Sequence, residues 1–483
     1  MCGIITSFGF NDTALRFKKI AHRGSVEQQL TLVDDNLVIG HVLLAIQNTA
    51  GLSLYEDDEY VFAYNGEVYD DWDSTKYTSD TEWLFNELKT KGVPETIKDL
   101  NGMFGFAFYI KKTKELFVAR DYLGIIPLYY YAQSDGVRAG QRTLFQSKNA
   151  GKKLLIASEM KCFYGIPLKD VKLFPHGHYA RIVDGEIEFH QYHAISHETL
   201  ADGEDAAFIA GIRERLTEAV HRRLKATSAK VCALLSGGVD STIVTAIAKK
   251  FKPDLVAFTF SVGDKGKADL HYARIAAKHI GVPLIEVIVT PEEVLEHLDE
   301  IIYMNEDSTW TQISSAVGQF FLAREIAKHG YRVAIGGEVS DEIFADYPQI
   351  KRFQWRDEQY IAARKNLIEK VGSNNLSRSN KVMLGGGTVE VRNPMEDREF
   401  LEYAGNVPPR FKEYRINGKM QTKPLLREAF ADLIPTEIVT RAKGCQGTVT
   451  WVDEILEPLK DVIKERYNEL FNKGGLIQNV NLR

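Results

Sequence analysis

Along the first 190 or so residues, apolar and aromatic runs bounded by turn residues recur: IITSFGF, VIGHVLLAI, YVFAYNGEVY, MFGFAFYI, ELFVAR and PLYYYA. Runs of this length and composition predict strands. Between them DTEWLFNELKTKG sets Trp83, Leu84 and Leu88 on one helical stripe, which Gly92 stops. The front of the chain therefore reads as a strand-rich α+β domain. The polar stretch AISHETLADGEDA loses all periodicity and marks a linker.

Past the linker the rhythm changes. IRERLTEAVHRRLKA carries Ile212, Leu216, Val220 and Leu224 four apart, one apolar helix face. Continuous apolar strands then alternate with helices: VCALL, TIVTAIAKKF, LVAFTFSV, DLHYARIAAKHIG, PLIEVIV, PEEVLEHLDEIIY, AVGQFFLAREIAKHG and RVAIGG. Such alternation predicts a doubly wound parallel sheet whose ligand lies beyond the carboxyl ends of the strands. From about Asp357 on, the chain is polar and helical, and its periodicity is too weak to order the elements.

A chain of 483 residues exceeds what one core organises, so two domains are expected. The formal charge of −6 leaves no basic surplus for nucleic acid or an anionic membrane. The four cysteines, Cys2, Cys162, Cys232 and Cys445, show no metal spacing and suit a reducing compartment. No signal peptide precedes Cys2, and no apolar run reaches the length of about 18 residues that reads as a membrane span. A cytoplasmic location is the expectation.

The candidate chemistry begins at SGGVDS, residues 236–241, where a strand becomes a helix. The amides of Gly237, Gly238 and Val239 can face an anion there, with the helix dipole favouring it. No Walker-type G-x-x-x-x-G-K-[ST] occurs, and the dinucleotide-binding spacing is missing. Asp240 inside such a loop suits a pyrophosphate bridged by Mg²⁺, which prefers carboxylate and phosphate oxygens. A plain strand-to-helix turn with an N-capping serine is the alternative.

SGGVDS resembles the pyrophosphate loop of the N-type ATP pyrophosphatases. With MCGII, HRG, NGEVYD, SDTE, RDYLGIIPLYY, ASEMK, FPHG, GGEVSDEIFADY, VEVRNP and NGKM, nearly the whole chain resembles the glutamine-dependent asparagine synthetase family. The resemblance implies an N-terminal nucleophile glutaminase, an αββα sandwich, over residues 2–193. It implies an α/β doubly wound ATP pyrophosphatase domain with a helical C-terminal part over 207–483. The implied small molecules are glutamine, ATP with Mg²⁺, and a carboxylate acceptor; a homodimer is also implied, with neither nucleic acid nor membrane as partner.

In the glutaminases it resembles, removal of the initiator methionine leaves Cys2 with a free α-amine that serves as base to its own thiol. Asn65 and Gly66 would form the oxyanion hole, while Glu67 and Asp80 would hold the glutamine ammonium. Asn-Gly could equally be a hairpin turn. In the second domain Ser236, Gly237, Gly238, Asp240, Ser241, Val262 and Lys423 would bind ATP or pyrophosphate, and Asp240 and Asp341 the metal. Glu338 would take a proton from incoming ammonia, and Lys423 and Lys443 would offset charge as pyrophosphate leaves. Cys232 reads as packing and Cys445 as incidental.

Four departures from the family stand out. Leu43 occupies the place of an arginine that clamps the glutamine carboxylate, for which Arg23 of HRG is a candidate substitute; HRGS also lacks the usual proline-aspartate. Ser314 stands near the place of an arginine thought to grip aspartate. Val339 replaces the glycine of GSDE. The expected activity is a glutamine-dependent, AMP- and pyrophosphate-forming amide synthetase making asparagine. An amide of another carboxylate (a sugar acid, a peptide or a nucleobase precursor), or a homologue without turnover, are the alternatives; ATP-to-AMP conversion with and without aspartate separates them.

Overall fold

The computed structural model describes residues 1–24, 27–34, 36–46, 54–133, 142–143, 153–183, 186–263, 267–347, 350, 354–413, 415–416, 419–441 and 450–471. The chain divides into two compact units, one of Met1–Ala194 together with the chain from Glu465, the other Ile195–Lys464. The first division falls inside the aperiodic stretch that begins at Ala194.

The first unit holds β1 (Gly3–Phe8), β2 (Glu27–Asp34), β3 (Leu37–Leu43), β4 (Tyr55–Glu56), β5 (Tyr60–Val68), β6 (Gly102–Ile110), β7 (Glu115–Arg120), β8 (Tyr129–Ala132), β9 (Arg142–Thr143), β10 (Leu154–Ala157), β11 (Lys172–Leu173), β12 (His178–Val183) and β13 (Glu186–Gln191). They form two sheets, ordered β11-β8-β10-β1-β3-β2 and β4-β5-β6-β7-β12-β13-β9. Ile4, Ile39 and Ile156 of the first sheet and Val61, Ala107 and Val118 of the second share one core, so the sheets face each other. Their neighbours along the strands point the other way. Phe62, Phe104 and Phe106 meet Leu84, Phe85 and Leu88 of α2 (Asp80–Lys91) and Ile97 of α3 (Val93–Ile97). On the far side Ile5, Val42 and Leu155 meet Phe17 of α1 (Thr13–Lys18). Both faces of each sheet are covered, which is why these strands read as continuous apolar runs and not as alternating ones. The layers are helix, sheet, sheet, helix.

The second unit is built on β14 (Val231–Leu234), β15 (Val256–Val262), β16 (Leu284–Val289), β17 (Val333–Ile335) and β18 (Glu390–Arg392). Every neighbouring pair is parallel, in the order β16-β15-β14-β17-β18. The chain works outward from β14 on one side and then restarts at β17 on the other. The switch point lies between β14 and β17, where open α/β sheets place their ligands. The helices up to the last strand are α4 (Asp205–Lys225), α5 (Val239–Phe251), α6 (Lys267–Ile280), α7 (Pro291–Glu296), α8 (Leu298–Asn305), α9 (Trp310–Lys328), α10 (Ser340–Ile343), α11 (Asp357–Val371) and α12 (Ser377–Gly387). On α4 the predicted stripe of Ile212, Leu216, Val220 and Leu224 is buried.

Two elements differ from the pattern. The single helix expected over PEEVLEHLDEIIY breaks at His297 into α7 and α8. Helix α9 starts at Trp310, ahead of its apolar run, because polar residues of its first turns have buried polar partners of their own. A π-helical turn, Gly372–Leu376, joins α11 to α12. Among the described residues no helix is long and apolar enough to cross a membrane.

Candidate active sites

The loop between β14 and α5 is Leu235 to Gly238. Gly237 has φ +72°, and a Cβ there would stand 2.4 Å from the amide nitrogen of Ala273, so the left-handed turn and the close approach both require glycine. The N-cap of α5 is Gly238, with no side-chain cap; the N-capping serine of the simpler reading is not there. Ser236 and Ser241 bond each other instead, with their hydroxyls 3.0 Å apart, and Ser241 Oγ also accepts from the Ser236 amide at 3.2 Å. The first amides of a thirteen-residue helix are thus left without a side-chain cap. Val262 closes β15, fully buried, at the same carboxyl edge.

Across the switch point β17 runs through two glycines to Glu338 and then α10. Val339 takes φ +78°, a backbone region that costs a β-branched residue strain and that a glycine occupies freely. This turn delivers Asp341 toward Asp240, and Ser340 Oγ donates to Asp240 Oδ1 at 2.7 Å. Lys423 comes from a distant segment, with φ +53° just before Pro424. Its wholly buried ammonium lies 2.6 Å from Asp240 Oδ2, 2.6 Å from Asp341 Oδ1 and 3.8 Å from Asp346 Oδ2. The residues read as phosphate and metal ligands therefore converge. Lys443 and Cys445 lie outside the described residues.

As a magnesium site the cluster has suitable donors: hard carboxylate oxygens of Asp240 and Asp341 within bonding reach of one point. That point is held by the Lys423 ammonium, and Asp240 Oδ1 takes the Ser340 hydroxyl, so a metal would share these carboxylates with Lys423 and Ser340. Among the described residues no group of three or more His, Cys, Asp or Glu side chains is arranged to hold a metal by itself. Such a set fits Mg²⁺, which takes part of its shell from phosphate and water.

Glu338 has two unlike oxygens. Oε1 accepts from Gln319 Nε2 at 2.9 Å and lies 3.5 Å from Arg378 Nη2. Oε2 is buried with no hydrogen-bond partner. Burial pushes the Glu338 carboxyl above the usual carboxylate range, against the pull of Arg378 and of hydrogen bonds from Ser379 and Gln319. Arg378 itself is held by three amide oxygens, through Nε to Gln319 at 3.2 Å and through Nη1 to Gln312 at 2.6 Å and Asn375 at 3.1 Å. Asn375 also donates to Glu342 Oε1 at 2.6 Å, and Tyr347 donates to the same oxygen. The sequence pattern missed this polar set; a legible hint was an arginine in a segment with no exposed face. Ser314 is buried and donates to Asp453 Oδ1 at 2.5 Å.

In the first unit Cys2 leads directly into β1. Its sulfur receives the Leu44 amide at 3.4 Å, and its carbonyl receives Arg23 Nε at 2.8 Å. Arg23 is not a spare cation for a substrate carboxylate: it is fully buried and donates from Nη1 to Glu159 Oε1 at 2.6 Å. Glu159 is fully buried as well and also meets Lys161 and His22. Burial would raise its carboxyl, but His22, Lys161 and Arg23 outweigh that and hold it well below the usual range.

Asn65, Gly66 and Glu67 lie inside β5, not in a hairpin turn. A Cβ on Gly66 would stand 2.1 Å from the Met103 carbonyl oxygen, so close pairing of β5 and β6 demands glycine. Asn65 Nδ2 reaches Ser158 Oγ at 3.5 Å, which also accepts from the Ile4 amide at 2.9 Å; Asn65 Oδ1 is buried without a partner. Asp80 starts α2 and accepts from the Val68 amide at 2.9 Å, beside Glu67. The phenol of Tyr64, which the sequence reading passed over, is buried and unpartnered. Burial raises it well above its ordinary value, and the nearby Asp80, Glu67 and Cys2 add to this, so these groups share one neighbourhood. His41 Nε2 donates to the Tyr64 carbonyl, 2.7 Å away, and burial drives its imidazole down to about 4.

A parallel sheet with a glycine loop and a lysine–carboxylate cluster at its switch point, preceded in the chain by a two-sheet unit whose first strand follows directly on Cys2, defines a two-part synthetase of the amidotransferase class. The asparagine synthase family model matches residues 211–385 and 367–479, and the glutamine amidotransferase domain model matches residues 1–193. The chain belongs to the asparagine synthase family. It is 29% identical over 504 residues to asparagine synthetase B [glutamine-hydrolyzing] of Escherichia coli K12, covering 97% of this chain and 86% of that one. To human asparagine synthetase [glutamine-hydrolyzing] it is 29% identical over 478 residues, covering 92% and 83%.

Proposed function

We propose that this chain is a glutamine-hydrolysing asparagine synthetase. A carboxylate oxygen of aspartate attacks the α-phosphorus of ATP and pyrophosphate leaves. Ammonia then attacks the acyl carbon, gives up a proton, and AMP departs with the acyl–oxygen bond. The observation that carries the reading is Glu338: a carboxylate oriented by Gln319, with Arg378 and the Ser379 hydroxyl beside it and a carboxyl raised by burial against their pull, at the same switch point as the SGGVDS loop. A raised carboxyl is a better acceptor for the proton that ammonia loses. The amides of the loop receive the phosphates, and Lys423, paired with Asp240 and Asp341, offsets charge from behind those carboxylates. Asp240 and Asp341 would hold Mg²⁺, which when bound neutralises charge on pyrophosphate.

The nitrogen comes from the first unit. With Met1 removed, Cys2 attacks the glutamine amide, Asn65 Nδ2 and the Gly66 amide receive the oxyanion, and Glu67 and Asp80 bind the ammonium. Ammonia leaves, and water releases glutamate from the thioester. The test has two arms. Aspartate should stimulate conversion of ATP to AMP and pyrophosphate, and Asp240→Asn should remove it. Cys2→Ala should abolish synthesis with glutamine and spare synthesis with ammonia. ADP as the stoichiometric product, or equal loss with both nitrogen sources, defeats the reading.

A further inference from the structure

Resting on the aspartate reading above, we propose that Arg378 binds the second carboxylate of the acceptor, the α-carboxylate that is not adenylated. An acceptor with two carboxylates brings a charge that stays unreacted beside Glu338, and an unpaired carboxylate in a buried site is costly. Position 314 supplies no cation, since Ser314 is tied to Asp453, and the Lys423 ammonium already serves Asp240 and Asp341. Arg378 stands where the cation is needed, and the manner in which it is held matters.

Its Nε and Nη1 are taken by carbonyl oxygens of Gln319, Gln312 and Asn375, all neutral acceptors, so the plane of the guanidinium is fixed while its charge is not neutralised by them. Among the described residues the only carboxylate paired with it is Glu338, 3.5 Å from Nη2, which is beyond a strong hydrogen bond. Nη2 has no other polar contact among the described residues. Gln312 and Gln319 are seven apart on α9, two turns, and so share a face. Asn375 comes from the π-helical turn, a rare geometry that occurs frequently at functional sites. A planar donor fork locked by amides, with one nitrogen left toward the reacting centre, is preorganised for a carboxylate. When Glu338 takes up a proton, the acceptor carboxylate keeps the guanidinium paired.

The experiment compares L-aspartate with β-alanine, which is aspartate without its α-carboxylate, in full-length enzyme with ATP and saturating ammonia, reading pyrophosphate release. Wild type should favour aspartate. In Arg378→Leu the KM for aspartate should rise roughly ten- to a hundredfold, and the aspartate-to-β-alanine ratio of kcat/KM should fall toward one. Arg378→Lys keeps the charge but not the fork; it should lie between the two and remains informative if the leucine variant does not fold. A ratio preserved in both variants, with the two acceptors losing rate together, would mean Arg378 merely positions Glu338 and overturns the inference alone. A wild-type enzyme without aspartate-stimulated release overturns the aspartate reading and this inference with it.

Discussion

Replacing Arg23 by alanine distinguishes an internal anchor from a substrate clamp. Arg23 and Glu159 are both wholly excluded from solvent, and removing one member of a buried pair costs about 3–5 kcal/mol because the other charge is stranded. Here Lys161 and His22 stay beside Glu159, which puts the loss near the lower end, ~3 kcal/mol. The hydrogen bond to the Cys2 carbonyl goes too, roughly 0.5–1.5 kcal/mol. For a unit of this size each kcal/mol lowers the melting temperature by about 2–4 °C, so Arg23→Ala, at about 3.5–4.5 kcal/mol, should lower it by about 7–18 °C. Calorimetry of the full chain measures this, and glutamine hydrolysis below the transition measures the rest. Turnover should fall because Cys2 loses its carbonyl anchor, whereas KM for glutamine should move little. Arg23→Lys keeps a charge for Glu159 and should recover most of the stability but not the turnover. A melting temperature unchanged within about 2 °C, together with a tenfold rise in KM at constant turnover, would refute the anchor and return Arg23 to the substrate.

Leu43→Arg should lower KM for glutamine about ten- to a hundredfold with little change in kcat, checked by steady-state glutaminase kinetics, since a charge-assisted bond is added away from the scissile amide. Gln319→Leu removes a donor to Glu338 Oε1, raises that carboxyl further and should move the acid limb of the ammonia-dependent rate to higher pH; an unmoved limb would exclude Glu338 as the base. Gly66→Ala should prevent native pairing of β5 with β6 and leave no glutaminase, because its Cβ meets the Met103 carbonyl at 2.1 Å; circular dichroism and hydrolysis report both. The His41 imidazole is lowered in the fold from 6.5 to about 4, so stability is full above pH 6.5 and should fall by ~3 kcal/mol as pH drops toward 4, with a shallower slope for His41→Gln in denaturant titrations.

What the pattern of residues could carry is set by the distance over which each interaction works. The strands of both units were legible because both faces of each sheet are covered, and continuous burial is written into consecutive residues. SGGVDS was legible for the same local reason: a strand end, a left-handed glycine and a helix start are neighbours in the chain. The switch point that makes the loop chemical also followed from the alternation of strands and helices. Arg23 was misread because its partner, Glu159, is 136 residues away, and an arginine next to a glycine looks alike whether it faces a ligand or a buried carboxylate. The hold on Arg378 was invisible for a related reason. Gln312 and Gln319 sit 66 and 59 residues from it in the chain, and as polar residues on a buried helix they only blurred the apolar period that was being sought. The same blurring hid the first turns of α9. Val339 shows the reverse case, a departure that was visible in the sequence but whose consequence needed the backbone: the valine keeps the φ of +78° that a glycine would take freely. The strain of an L residue in that region, on the order of 1–3 kcal/mol, is therefore retained one residue from Glu338. That retention argues that the turn after β17 is fixed by what it must deliver, Glu338 on one side and Asp341 on the other, and not by the preference of the residue that makes it.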